Sequence, residues 1–189
     1  MPRASAAEAA ETARRILDVA TTHFAEHGFG AASVEDIARS AGVTRGAVYH
    51  HYASKTGLFS AVAAAQQRSV AESIAAATER SEPAEALRDG SHAFLDAITR
   101  GAVARILLID GPAVLSWQDW RGMDAAGPES ELRTGLSEVG LSPALVDAMT
   151  AALSGAMNEL ALLLVRHPGD AESHAAAHRA LDHLLDGIL

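Results

Sequence analysis

The stretch that decides the fold is residues 33–55, SVEDIARSAGVTRGAVYHHYASK. It contains two short helical segments joined by Ala41-Gly42-Val43, which is the spacing of a helix-turn-helix. Ser33 and Thr44 are favourable N-caps, and Gly42 can take the left-handed conformation that the tight turn needs. The pattern predicts a supporting helix, a turn, and a second helix able to lie in the major groove of DNA.

The segments on either side extend this helical unit. Upstream, an apolar stripe at 3–4 spacing predicts a helix from about Glu8 to His27, ended by Gly28. Phe24 and Phe29 are expected in its core. Downstream, a long predicted helix runs from Lys55 to about Thr78.

The rest of the chain also follows helical patterns, because alanine and leucine dominate and alternating β-branched residues are scarce. Residues 79–83 form the predicted joint between domains. Beyond this joint, proline and glycine positions predict helices over 83–99, 102–109, 113–123, 128–139, 143–166 and 170–189. The predicted fold class is therefore all-α.

Composition excludes several classes of protein. The 189 residues include no cysteine, which excludes disulfides, thiolate metal sites and cysteine nucleophiles. Residues 1–60 hold six basic and six acidic residues, so the net charge of −9 comes entirely from the rest of the chain. This charge argues against a generic nucleic-acid binder. The polar N-terminus and the lack of long uncharged apolar runs predict a cytoplasmic protein with no secretory signal and no membrane span.

Residues 14–59, RRILDVATTHFAEHGFGAASVEDIARSAGVTRGAVYHHYASKTGLF, resemble the N-terminal domain of the TetR family of bacterial transcriptional regulators. The resemblance rests on F-x-E-x-G-F, S-V-E-D-I-A-x-x-A-G-V and T-R-G-A-V-Y-H-H-Y-x-S-K taken together. It implies a three-helix helix-turn-helix DNA-binding domain (residues 1–54), a connecting helix (55–78) and a C-terminal helical domain (79–189) that binds an effector and dimerises. Residues 105–121, RILLIDGPAVLSWQDWR, resemble less specifically a segment of one large subgroup.

Residue chemistry and the resemblance together select candidate DNA contacts. Arg45 can pair with a guanine edge, Gly46 permits close backbone approach, and Thr44 places a hydroxyl and a helix N-terminus near a phosphate. The resemblance also implies phosphate contacts at the start of the supporting helix, and Tyr52 stands where the family more often has phenylalanine. The predicted set is Ser33, Val34, Thr44, Arg45, Gly46, Tyr49, His50, His51 and Lys55.

Aromatic residues are scarce beyond residue 60, and they could either line an effector pocket or fill the core. Arg105 and Asp110 could orient a ligand or form a surface ion pair. Methionines suit an adaptable pocket wall, although they often just fill gaps. The predicted pocket for a small, largely apolar effector consists of Phe94, Arg105, Trp117, Trp120, Met123, Met149, Leu153 and Met157.

Two apolar helices at the C-terminus predict a two-fold homodimer. Their stripes keep 3–4 spacing, and a pair from each subunit would form a four-helix bundle that matches a palindromic operator. The predicted seam consists of Leu145, Met149, Leu153, Met157, Leu160 and Leu164, followed by Ala177, Leu181, Leu184, Leu185 and Ile188.

Histidines near the C-terminus raise the question of a metal. His174 and His178 are spaced i, i+4 with His183 nearby, a pattern that can hold zinc. No acidic or cysteine ligand is organised around them in the sequence, so solvated or interface histidines are the favoured reading. Adjacent His50 and His51 do not share a helix face, which favours DNA contact or plain surface. No metal site and no cofactor is predicted.

The sequence predicts a ligand-responsive repressor that binds a palindromic double-stranded DNA operator as a dimer and is released by a small effector. An enzyme built on a helical bundle is the chief alternative, but no Ser/His/Asp constellation, Glu-x-x-His pair or glycine-rich phosphate loop supports it. A second alternative is a DNA-binding scaffold without an effector. No membrane partner is expected.

Overall fold

The computed structural model describes residues 6–125 and 127–189, without the side chains of residues 117, 121, 124 and 125. Within this part the chain is helical and has no strand, which confirms the all-α prediction. A π-helical turn (Arg105–Asp110) joins the sixth helix to the seventh. The helices are α1 (Ala6–Ala31), α2 (Val34–Ser40), α3 (Arg45–Tyr52), α4 (Lys55–Thr78), α5 (Pro83–Ile98), α6 (Gly101–Ala104), α7 (Gly111–Val114), α8 (Trp117–Ala125), α9 (Pro128–Glu138), α10 (Pro143–Arg166) and α11 (Ala171–Asp186).

Helices α1 to α3 form the predicted helix-turn-helix unit. Gly42 has a φ of +65°, and the next amide, that of Val43, closes the turn by donating to the Ala38 carbonyl at 2.9 Å. The core beneath is aromatic: Phe24 and Phe59 are fully buried and meet edge to face, with ring centroids 5.2 Å apart. Phe29 packs against the same core, so the expectation for both N-terminal phenylalanines is confirmed.

The predicted helix over residues 102–109 takes a different form. The chain makes one α-helical turn in α6 and then widens into the π-helical turn. Pro112 follows in α7, and in a continuous α-helix its ring would meet the carbonyl four residues earlier, at Leu108. A wider turn relieves this clash, and π-helical turns are rare enough to mark a functional region.

Helix α4 links the two halves of the molecule. Its N-terminal part packs against α1 and α3, and it also packs extensively against α5 and α9. The buried residues Leu58 and Phe59 serve the N-terminal core, while Val70 and Ile74 lie farther along the same helix. Helix α5 in turn packs against α9, α10 and α11, which completes the C-terminal core.

Helix α10 is, among the described helices, the one long and apolar enough to cross a bilayer by length and composition. The sequence predicts no such segment, because none of its uncharged apolar runs approaches the length of a membrane span. Core helices can have the same length and composition, and α10 packs against α5, α9 and α11.

The predicted dimer seam is wrong in part. Six of its members, on both helices, are buried inside the protomer: Leu153, Met157, Leu164, Ala177, Leu181 and Leu185. The side left exposed carries Leu145 and Leu163 on α10 and Leu184 on α11, with the small Ala152 and Gly155 between. Because α10 is apolar around most of its circumference, periodicity does not reveal which stripe faces the protomer's own core.

Candidate DNA-reading surface and effector cavity

Ser33 and Thr44 are the N-caps of α2 and α3, the two helices of the helix-turn-helix. Helices α1 to α3 together are called the reading unit below. Ser33 Oγ accepts a hydrogen bond from the Asp36 amide at 3.4 Å, and Thr44 Oγ1 accepts one from the Ala47 amide at 3.2 Å. Each hydroxyl oxygen serves as a cap and keeps its own O–H hydrogen for a phosphate oxygen. The Val34 side chain is buried, so its backbone amide is the group that could reach a phosphate.

Arg45, the first residue of α3, is held by two neighbours. It donates to the Tyr49 hydroxyl at 3.4 Å and to Glu35 Oε1 at 2.9 Å, and its guanidinium lies 5.3 Å from the centroid of the Tyr49 ring. The hydrogen bond to Tyr49, with the nearby carboxylate, raises the pKa of Arg45 above its ordinary value, so the side chain stays charged. Because the Arg45 and Glu35 side chains are 57% and 63% exposed, Arg45 can exchange this carboxylate for a base edge.

Gly46 has no structural reason to be glycine in the described fold. A Cβ built there would meet Thr44 Oγ1 at 3.8 Å, which is an ordinary contact. Glycine inside a helix costs about 0.5–1 kcal/mol relative to alanine. A molecule approaching the outer side of α3 would account for the missing side chain.

The other predicted contacts surround this surface. Tyr49 and His51 are half-buried, and His50 is exposed. Lys55 Nζ donates to the Gly30 carbonyl at 3.3 Å and lies 4.6 Å from the centroid of the Phe29 ring. The lysine ammonium therefore covers the end of α1, and its side chain must rotate to reach a phosphate.

Three residues outside the predicted set of DNA contacts fix the end of α3 and the start of α4. The Tyr52 hydroxyl donates to the Ala13 carbonyl at 2.7 Å, a bond that phenylalanine could not make. Burial raises the pKa of Tyr52, which keeps this hydroxyl protonated. Ser54 caps α4 by accepting from the Gly57 amide at 2.9 Å, and a Cβ on Gly57 would collide with the Tyr52 carbonyl oxygen. The sequence feature that could have indicated this junction is Ser54 at a predicted helix start, three residues before Gly57.

The end of α1 is joined to the π-helical turn by a polar contact. The Phe29 amide donates to Asp110 Oδ2 at 2.9 Å, and Arg105 Nε lies 3.7 Å from the same oxygen. Gly28 has a φ of +72°, and a Cβ there would collide with the Arg105 guanidinium. Arg105 and Asp110 thus form an ion pair, one of the two alternatives considered from the sequence, and this pair connects the reading unit to the rest of the protein.

A cavity of about 90 Å³ lies between α4, α5, α9 and α10. Its walls include Ile74 and Thr78 of α4, Leu87 and Phe94 of α5, and Met157 of α10. The α9 side adds Glu129, Glu131 and Glu138, so the walls combine apolar side chains with hydroxyls and carboxylates, and a small-molecule site needs such a mixture.

Two of the predicted pocket residues, Phe94 and Met157, line this cavity. Of the other described side chains in the predicted set, Arg105, Trp120, Met123, Met149 and Leu153 are not among its lining residues. The Trp120 ring lies against Gly111, where a Cβ would come within 2.7 Å of it. The Trp117 side chain lies outside the described part of the structure.

Two family models match the chain. The model described as bacterial regulatory proteins, tetR family, matches residues 16–62, and that described as tetracyclin repressor-like, C-terminal domain, matches residues 84–188. The HTH-type transcriptional repressor Rv1474c of Mycobacterium tuberculosis is 34% identical over 136 residues, which cover 70% of this chain and 71% of that protein.

Other curated relatives are covered over less of their own length. The HTH-type transcriptional regulator SrpR of Pseudomonas putida is 49% identical over 67 residues, which are 35% of this chain and 32% of that protein. Such matches span half or less of several of these relatives. The crystal structure of a TetR-family transcriptional regulator from Pectobacterium atrosepticum has a TM-score of 0.79 and 26% identity, with 98% of both chains covered.

A helix-turn-helix on a helical body is the architecture of the bacterial regulatory proteins that the first of these models describes. The family models and the relative from Mycobacterium tuberculosis make the assignment more specific. The chain belongs to the TetR family.

Proposed function

We propose that this chain is a ligand-responsive repressor that acts in the cytoplasm and binds a palindromic operator as a homodimer. Residues 1–54 read the DNA, residues 55–78 connect, and residues 79–189 bind the effector and dimerise. The observation that carries the proposal is the exchangeable Arg45–Glu35 pair beside the bare Gly46 at the start of α3, because both features suit contact with DNA.

The exposed apolar face of α10 and α11 supports the homodimer. Leu145, Leu163 and Leu184 are each more than a third exposed, an arrangement that favours a protein partner. Ala152 and Gly155 allow close helix approach at the crossing. A two-fold contact through these helices closes on itself and pairs one reading unit with each operator half-site.

The position of the cavity supports release by an effector. Ile74 and Thr78, near the C-terminal end of α4, line it, while the N-terminus of α4 packs against α3. An effector that prefers one position of α4 shifts the population toward one spacing of the two reading units. The small volume and the apolar side chains that α4, α5 and α10 contribute favour a small, largely apolar molecule.

Selection of bound sequences from random duplex DNA tests the proposal. We expect enrichment of a two-fold symmetric consensus, followed by small molecules that release the protein from it. Phe94→Ala should weaken such a molecule's binding, whereas Trp120→Phe, outside the cavity, should not. A consensus without two-fold symmetry would contradict binding as a dimer. If the protein binds a symmetric operator and no small molecule releases it, the DNA-binding scaffold without an effector is favoured.

A further inference from the structure

Helices α5 and α11 face each other with metal-ligating side chains at i, i+4 spacing. His92 and Asp96 lie on α5, and His174 and His178 lie on α11. Asp96 Oδ1 is 3.1 Å from His178 Nε2 and 3.3 Å from His174 Nε2, and the three ligand atoms all lie within 4.8 Å of one another. Three side chains from two helices therefore converge on one point.

We propose that Asp96, His174 and His178 bind a divalent transition-metal ion, zinc by preference, that ties α5 to α11. Tetrahedral zinc with metal–ligand distances of about 2.0–2.2 Å separates its ligand atoms by about 3.3–3.6 Å. The two nitrogen–oxygen distances are close to this spacing. Two imidazoles and one carboxylate are a donor set that zinc accepts, with a fourth position left for water.

Access to this point is open. The His174 side chain is 54% exposed and lines a solvent-open recess of about 500 Å³ beside the end of α10. An ion therefore has an entry path, which a binding site needs.

A chain of hydrogen bonds behind His178 fits a metal ligand. His178 Nδ1 lies 2.6 Å from His92 Nδ1, His92 Nε2 lies 2.9 Å from Asp182 Oδ1, and Arg88 donates to the same oxygen at 2.8 Å. Metal-bound histidines usually donate their second ring N–H to such an outer partner, which orients the ring. His92 is therefore a positioning residue for the site.

The count of ring hydrogens agrees with an ion at His178 Nε2. The contacts Asp96–His178, His178–His92 and His92–Asp182 each need one hydrogen, but two neutral imidazoles carry only two N–H groups between them. With a metal at Nε2, His178 donates from Nδ1 to His92, and His92 donates from Nε2 to Asp182.

His183 is not part of this cluster. It lies five residues beyond His178, about 140° farther around the helix, and it is exposed. The acidic ligand that the sequence did not reveal is Asp96, which comes from a different helix 82 residues before His178. His183 therefore supplies a matched control on the same helix.

A metal at this point would connect two functional elements. Helix α5 contributes Leu87 and Phe94 to the cavity wall, and α11 forms part of the exposed apolar face. An ion that fixes α5 against α11 stabilises the C-terminal half and holds the cavity wall in register with that face.

Zinc titration of the full-length, untagged, chelator-stripped protein against a chromophoric chelator tests the site. We expect one zinc per chain, and cobalt should give the intense visible absorption of a four-coordinate site. His174→Ala and Asp96→Asn should lower zinc affinity at least 100-fold, whereas His183→Ala should leave it within twofold. His92→Ala should lower it about 10- to 100-fold, as outer-partner substitutions do.

Thermal unfolding supplies an independent readout. Zinc should raise the unfolding temperature of the wild-type protein and of His183→Ala, but not that of His174→Ala. His174 is exposed, so its substitution keeps the test valid if half-buried His178 is needed for folding. Absence of stoichiometric binding, or equal zinc affinity in His174→Ala and His183→Ala, would overturn the proposal.

Discussion

The backbone amide of Phe29 donates a 2.9 Å hydrogen bond to Asp110 Oδ2, a residue 81 positions along the chain. This bond connects the last turn of α1, on which α2 and α3 pack, to the π-helical turn of the C-terminal half. The π-helical turn also packs against α4. A movement of this turn can therefore reach the reading unit both through the Phe29–Asp110 hydrogen bond and through α4.

Asp110→Ala should destabilise the protein by about 1–3 kcal/mol, because it leaves the Phe29 amide without its acceptor. Asp110→Asn, which keeps an acceptor oxygen, should cost less. Urea unfolding measures both, with exposed Asp18→Ala as the control. If Asp110→Ala is no more destabilising than the control, the contact does not join the two halves.

Glu35→Gln should strengthen binding to any DNA duplex about two- to fivefold, the range expected for an exposed ion pair. The substitution frees the Arg45 guanidinium and removes a negative charge beside the phosphates. Fluorescence anisotropy over a range of salt concentrations measures the change. Glu72→Gln, on the exposed surface of α4, is the control. An equal gain in DNA affinity in Glu72→Gln would mean that the change in net charge alone causes the effect.

Gly46→Ala should move stability and DNA binding in opposite directions. Alanine favours the helix by about 0.5–1 kcal/mol and meets no close atom in the fold, so the free energy of unfolding should rise. Operator affinity should fall because the new methyl group occupies the approach of the DNA. Gly122→Ala, an open position in α8, should stabilise without weakening binding. If Gly46→Ala binds the operator as tightly as the wild-type protein, the proposed close approach of DNA to Gly46 is wrong.

Lys55→Ala should weaken binding to operator and random DNA alike and reduce the slope of log affinity against log salt by about one. The lysine contributes a phosphate contact once its ammonium leaves the Gly30 carbonyl and the Phe29 ring. Arg68→Ala, an exposed position farther along α4, should leave the slope unchanged. A salt slope unchanged by Lys55→Ala would exclude that phosphate contact.

Arg45→Ala should instead relax the preference for one base pair in each half-site, because its guanidinium is proposed to contact a base edge.

Leu163→Glu and Leu184→Glu should each produce folded monomers that lose operator affinity, because both side chains are exposed in the protomer yet lie on the proposed dimer face. Circular dichroism checks the fold and sedimentation checks the assembly. Ile109→Glu, an equally exposed apolar position in the π-helical turn, should remain dimeric. A wild-type monomer at micromolar concentration that binds a palindrome tightly would disprove the arrangement.

Local chemistry accounts for what the sequence alone determined. The hydroxyl caps at Ser33 and Thr44, the left-handed Gly42 and the apolar stripe of α1 act within a few residues, so their consequences can be read from spacing. The same is true of the all-α fold and of the start of α3, where Arg45 and Gly46 are placed together.

The tertiary structure decided the contacts between distant residues. The bond from Phe29 to Asp110 and the meeting of Asp96 with His178 each join positions about 80 residues apart, and helical periodicity carries no information about which helix faces which. The same limit applies to α10, where Leu153 is buried and Leu163 is exposed although both belong to apolar stripes. A helix that is apolar around most of its surface can bury either side, and only the packing of its neighbours selects one.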